Sequence, residues 1–315
     1  MVTWSRLYGV CASALALMVG CASEDAAPQR GQLMIAISTD MSVPKDIDHV
    51  HVQVVLTRGP VVHDQTYWIE PARGGDTLLP ATLAVVAGDS ANASVELRVT
   101  GFLGDEARTF SKVQTTIPES RLATVRVPVQ WLCDGSAQLV VDDIYDSACS
   151  ARDEEEYSCV AGTCEPASVD VASLPDFDPA AIFGGGEGPG DLLGECFDTI
   201  ECFDAGEDVA PEDDCELDVD VPSGGELNVA LKFPADDPTS GDSPGICGSQ
   251  GCYVPLDKDD RFGWRSDDAG TVQLPPAACA AVAAGAAQAL RVCYTHRSKT
   301  AQFPSCGPWS SVGED

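Results

Sequence analysis

The sequence predicts a mainly β protein. An antiparallel β-sandwich comes first, then a small disulfide-stapled Cys-rich segment, then a β-rich, disulfide-containing C-terminal domain with one short helix. Three observations carry this. Apolar and polar residues alternate in short runs between Gln32 and Trp131, the period of a strand with one buried face. Clusters of Gly, Pro and Asp separate those runs. Of the 14 cysteines, none lies between Cys21 and Cys133, and 12 lie from Cys133 onward. The first half must therefore hold itself by its core, and the second has covalent staples.

Taken in order, Leu33, Ile35 and Ile37 alternate, and so do Val50, Val52, Val54 and Leu56, with His49, His51 and Gln53 on the opposite face. Val95, Leu97 and Val99 repeat the pattern, followed by Ala123, Val125, Val127 and Val129. Weaker strands fit residues 61–69, 80–87 and 107–116. Breakers stand between them at Val43-Pro44, Gly59-Pro60, Gly74-Gly75, Gly88-Asp89, Gly104-Asp105 and Pro118-Glu119. Seven strands over residues 32–132 resemble immunoglobulin-like or fibronectin type III-like modules in length and rhythm, without a Cys–Trp–Cys signature.

Residues 133–164 hold Cys133, Cys149, Cys159 and Cys164, and the stretch from Tyr157 to Cys164 resembles the small EGF-like turns of secreted proteins. Two disulfides would staple a loop too small for its own core. The Cys159–Cys164 spacing also falls within zinc ranges, but an even count in an exported chain favours disulfides. Residues 165–195 read as a linker, because 183–190 is nearly all Gly and Pro. Residues 196–315 read as an acidic disulfide-rich β domain with Cys196, Cys202, Cys215, Cys247, Cys252, Cys279, Cys293 and Cys306. Their connectivity is not readable from spacing. Strands fit 226–233, 251–256, 271–274 and 290–295, and an alanine-rich helix fits 276–289, with Pro276 suited to its start and Gly285 weakening it.

The leader decides how those cysteines behave. Arg6 is the sole charge in residues 1–20, and the apolar run 7–20 is too short to span a bilayer, which needs about 20 residues. Its end, Leu17-Met18-Val19-Gly20-Cys21, resembles the lipobox of bacterial lipoprotein signal peptides, with Met18 where that family usually has Leu. The resemblance implies a signal peptide over 1–20 and cleavage before Cys21. It also implies a thioether-linked diacylglycerol on Cys21 and acylation of the freed amine, typically with palmitate. An ordinary signal peptide cut near Cys21 is the alternative. It would leave 13 cysteines and one thiol unpaired, whereas lipidation leaves 12. Residues 21–31 would then be a polar, lipidated tether. Ala22 after the cysteine fits, in a Gram-negative host, the outer membrane. The expected location is the cell envelope, at the outer membrane or cell surface.

Net charge is −32, and it is lopsided: residues 1–132 hold 13 acidic and 10 basic side chains, residues 133–315 hold 37 and 8. Such a surface repels nucleic acid and anionic lipid headgroups. It would attract divalent cations or basic proteins, or simply keep the chain soluble.

Few motifs carry chemistry. Gly241-Asp242-Ser243-Pro244-Gly245 fits G-x-S-x-G and resembles the Gly-Asp-Ser-Gly of trypsin-like proteases. Pro244, however, lacks the N–H that an oxyanion hole needs, so a surface turn is expected. The 184–190 run lacks the Gly-Lys-Ser/Thr ending of a phosphate loop. His49, His51 and His63 could make a three-nitrogen metal site, though exposed strand histidines are commoner; His296 stands alone. Asp257, Asp259 and Asp260 begin like a calcium loop, but Arg261 replaces the third acid; Asp213, Asp214, Glu216, Asp218 and Asp220 surround Cys215. No cofactor is expected beyond such calcium. Paired carboxylates also serve glycosidases, but no catalytic domain is recognisable. Tyr253, Trp264, Tyr294 and Trp309 fit either a sugar-stacking surface or, preferably, core. The leading expectation is a non-enzymatic, membrane-anchored lipoprotein binding an unknown protein or glycan. An extracytoplasmic hydrolase and a calcium-dependent adhesin are the rivals.

Overall fold

The computed structural model describes residues 30–56, 59–69, 77–86, 88, 92–141, 144–149, 155–184, 196–212, 214–236, 241–267, 270–301 and 303–306. The leader, Cys21, Asp213 and Trp309 lie outside the described residues.

The alternating runs become strands at the expected places. They are β1 (Gln32–Thr39), β2 (His49–Leu56), β3 (Val61–Trp68), β4 (Ala81–Val86), β5 (Ser94–Leu103), β6 (Glu106–Thr116) and β7 (Leu122–Val129). They form a three-stranded sheet in the order β4-β1-β7 and a four-stranded sheet in the order β3-β2-β5-β6. The two sheets bury one shared core. Its members are the residues that the period-2 pattern selects: Leu33, Ile35, Ile37, Val50, Val52, Val54, Val95, Leu97, Val99, Val125, Val127 and Val129. One pairing departs from the antiparallel expectation. β1 and β7 run parallel, from Gln32 opposite Leu122 to Thr39 opposite Val129. The ends of the module thus lie side by side, and no hairpin constrains their direction.

A 3-10 turn at Trp131–Cys133 leaves the sandwich. Two hairpins follow, β8 (Ala137–Val141) with β9 (Ile144–Ser147), and β10 (Tyr157–Val160) with β11 (Thr163–Pro166). Ala161 and Gly162 both take positive φ between the last two, the two-residue turn that matches strand twist. Disulfides Cys133–Cys159 and Cys149–Cys164 close this segment, as expected.

The stretch read as linker is structured in its first half. Residues 167–177 run as a strap along the sandwich. Val169 N–H donates to the carbonyl of Gln114, Thr124 N–H to Pro175, and Phe177 N–H to Leu122, each at 2.8–2.9 Å. The strap therefore covers the outer edges of β6 and β7, which would otherwise expose unpaired backbone groups. A four-residue helix, α1 (Ala180–Phe183), ends it at Gly184, whose φ of 67° is left-handed. Residues 185–195 are outside the described residues.

The C-terminal half begins with α2 (Thr199–Asp204), capped by Asp198. Its main sheet contains β12 (Glu207–Val209), β14 (Glu226–Phe233), β15 (Ile246–Cys247), β16 (Cys252–Leu256) and β19 (Ala289–Thr295), in the order β12-β19-β14-β16-β15. A smaller sheet joins β13 (Glu216–Leu217), β17 (Arg265–Ser266) and β18 (Val272–Gln273). The alanine-rich helix α3 spans Pro276–Ala283, shorter than the 276–289 expected. Gly285 stops it by taking a φ of 73°, and its N–H closes the last turn on Val282. Neither α1 nor α2 was legible, because both are shorter than a periodic pattern can reveal. The remaining disulfides are Cys196–Cys306, Cys202–Cys293, Cys215–Cys279 and Cys247–Cys252. Tyr253 and Trp264 are fully buried and belong to the core rather than to a stacking surface.

The halves are packed against each other. Trp131 touches both large hydrophobic cores and meets Phe233 edge-on at 4.9 Å.

Candidate functional site

The outer face of the β1–β7 pair carries Ser38, Thr124, Arg126, Pro128 and Gln130, the polar half of the alternation. Such a face normally meets water. Here the strap and the C-terminal half cover it, and between them lies a cleft of about 410 Å³. Its wall is apolar at Ile37, Leu79, Pro80, Ile182, Ala301 and Pro304, and polar at Asp40, Thr124, Arg126, Asp257 and Lys299.

The charges come from distant parts of the chain. Arg126 projects from the middle of β7 and bonds Asp259 at 2.5 Å, with Asp257 at 3.6 Å. Lys299 bonds Asp257 at 2.6 Å. Lys299 is held by its own backbone N–H, which donates to buried Asn228. Asp259 also accepts the N–H groups of Arg261 and Phe262. Burial works to raise its pKa, but Arg126 and these donors prevail and hold it below the ordinary value.

Asp40 behaves differently. It follows the end of β1, and one carboxylate oxygen accepts Trp131 N–H at 2.7 Å. The residue is half-buried at the cleft wall, and desolvation is the largest influence, pushing its pKa from 3.8 up to about 7. The Trp131 N–H and the Lys299 charge oppose that rise, and the Asp257 charge adds to it. Both nearby cations are already committed to Asp257 and Asp259. Two polar atoms of cleft-lining residues have no hydrogen-bond partner among the described residues, Thr124 Oγ1 and Arg126 Nη2, the latter 3.6 Å from Asp257. Unsatisfied buried polar atoms are rare and call for a specific reason.

Asp257 and Asp259 thus reach the candidate site, but they serve as counter-ions to Arg126 and Lys299. Asp260 is exposed. Asp218 and Asp220 lie on alternate positions beyond Cys215, and both are exposed. Among the described residues, no group of three or more His, Cys, Asp or Glu side chains is placed to hold a metal ion. The histidines also separate. His49 stacks on Phe102 at 4.8 Å and bonds Asp48, His51 bonds Asp64, and His63 meets Tyr67. His296 lies in a different groove, beside Phe303.

The Gly241–Gly245 turn is part of the contact between the halves. Gly245 N–H donates to Asp46 at 2.7 Å, and Lys45 donates to the Ser243 carbonyl. Asp46 is buried, which raises its pKa against the two backbone donors that lower it. Gln130 bonds the Phe262 carbonyl at 2.7 Å, and Arg261 bonds Glu165 at 3.2 Å.

Asp40, Thr124, Arg126 and Lys299 were not singled out from sequence. Arg126 alone left a trace, as the one cation inside Ala-Thr-Val-Arg-Val-Pro-Val.

Six disulfides and a mainly β fold define the class: a disulfide-stapled β protein of an extracytoplasmic compartment. Among the described residues no helix is long and apolar enough to cross a membrane. Comparison with family models, curated proteins and solved structures returned no match.

Proposed function

We propose that this chain is a lipid-anchored lipoprotein of the cell envelope that binds a ligand in the cleft between its halves and does not transform it. The observation that carries the binding half is the cleft itself, a concave, largely apolar space at a domain boundary with a few converging polar groups. The hydrolase reading draws on the same place, since a carboxyl poised near 7 beside a second carboxyl suits acid catalysis. Binding is the better reading. Asp257 is tied up by Lys299, and among the described residues the lining contains neither histidine nor cysteine to activate a nucleophile.

The anchor rests on the lipobox resemblance and on the even cysteine count, now matched by six closed pairs downstream of Cys21. In a bacterial host, Cys21→Ser should release the protein from the membrane fraction or stall it as a precursor, and should abolish palmitate labelling. Unchanged membrane retention of that variant would remove the anchor. For the cleft, a photo-reactive benzophenone placed at Ala301 should capture a defined adduct in cells. Capture no greater than from the exposed Val221 would count against a ligand site.

A further inference from the structure

We infer that the cleft recognises an organic ammonium group, carried on a short apolar stem, with Asp40 as its counter-ion; this rests on the binding reading above. The charged residues that share the cleft with Asp40 are Lys299, Asp257, Arg126, Asp176 and Asp178, and Lys299 and Asp257 act on it directly. Lys299 is committed to Asp257 at 2.6 Å and Arg126 to Asp259 at 2.5 Å. Asp176 is held by Arg121 at 2.8 Å, and Asp178 accepts the Ala180 N–H. The acids therefore outnumber the cations around the cavity, and among the described residues Asp40 is bonded by backbone N–H groups and by no cationic side chain, with Lys299 acting on it only through its charge. Its position decides the ligand's shape. Ile37, Leu79, Pro80 and Ile182 line the same space, so a cation entering it would lay a hydrocarbon stem on an apolar wall.

A second observation points to an occupant. Thr124 lines the cleft and is 5% exposed, and among the described residues its hydroxyl has no hydrogen-bond partner. An ammonium, or water held beneath it, would donate to that hydroxyl oxygen. The lining carries four carboxyls, Asp40, Asp176, Asp178 and Asp257, against the two cations Arg126 and Lys299, a balance that disfavours an anion. A neutral ligand would leave Asp40 without a counter-charge. Two sources share the required chemistry, a free alkylamine and the side chain of a lysine in a basic partner.

The linkage has a definite sign. An ammonium stays charged well above neutrality and prefers ionised Asp40. The ionised fraction falls as pH drops through about 7. Binding below 7 must therefore expel a proton from Asp40, and affinity should fall about tenfold between pH 8 and pH 6.

The test is calorimetric titration of the full exported chain. The probes are hexylamine and Nα-acetyl-lysine methylamide, with hexanol and hexanoate as controls. Hexylamine, or the lysine amide, or both, should bind at least tenfold tighter than either control. At pH 6 that binding should release close to one proton, read from two buffers of different ionisation enthalpy. Preference for one probe over the other identifies the source. Asp40→Asn, which keeps an acceptor for Trp131 N–H, should lose the amine preference and the proton release together. Binding of hexanol with no preference for an amine would overturn the ammonium assignment and leave the ligand site standing. No binding by any probe would overturn both. Amine binding that survives unchanged in Asp40→Asn would overturn the assignment of Asp40 as counter-ion.

Discussion

Asp40→Asn should make the protein more stable at pH 8, by about 2–4 kcal/mol, and leave it almost unchanged near pH 4. The carboxyl titrates near 7 in the folded chain and near 3.8 when unfolded. Below 3.8 both states hold the proton and the group contributes no pH dependence. Between about 4 and 7 the unfolded chain has lost its proton while the folded chain keeps it, so stability falls as pH rises. Above 7 the whole cost is present. Asparagine imitates the protonated group at every pH, and its carbonyl can still accept the Trp131 N–H. Urea denaturation of the two proteins at pH 4.5 and pH 8 measures the difference. A variant that is less stable than the parent at pH 8 would mean that Asp40 is satisfied in a way the cleft geometry does not reveal. A side chain that lowers stability at neutral pH while facing a cavity is what a binding site is expected to contain.

Removing Cys202–Cys293 should have the largest effect of any single staple that lies inside a core. The pair ties α2 to β19 across 91 residues of chain. Both cysteines sit with Phe197, Phe203, Tyr253 and Phe303 in one buried cluster. Chain entropy alone puts the cost of the double Cys→Ser variant at about 4–5 kcal/mol, and the two serine hydroxyls would add to it. The Cys149–Cys164 pair closes only 15 residues, so its loss should cost about 1–2 kcal/mol less by the same rule. Guanidinium denaturation of the two double variants compares them. Equal losses would show that the C-terminal core holds α2 without help from the disulfide.

Much of the fold was readable in advance. Leu33, Ile35, Val52, Leu97, Val125 and their alternates announce a buried face because a strand turns its side chains to opposite sides in strict succession. The cysteine distribution announced two kinds of stability, core alone before Cys133 and core with staples after it. What escaped was short or non-local. The strap at 167–177 reads as a linker because its backbone bonds go to strands β6 and β7, far earlier in the chain, and no local period records that. The direction of β7 against β1 was equally silent, since alternation is the same in parallel and antiparallel pairs.

The candidate site shows the same limit more sharply. Asp257 and Asp259 attracted notice because acids close in sequence suggest a shared ligand. Their partners, Arg126 and Lys299, lie 131 or more residues behind and 40 or more ahead in the chain, and only packing brings them together. Asp40 looks like an ordinary loop aspartate after a strand; its environment, not its identity, moves its proton affinity.

By itself, the sequence determined which side of each strand is apolar, that the second half is closed by disulfides, and that the molecule is strongly acidic. Those are properties of residues and their neighbours. Tertiary structure alone decided that the polar side of β1 and β7 is covered too, and that the cover leaves a cleft with the Asp40 carboxyl in its wall. A polar face is written the same way whether water or another part of the chain lies against it. Only the folded arrangement removes the water, and removing the water is what raises the proton affinity of Asp40.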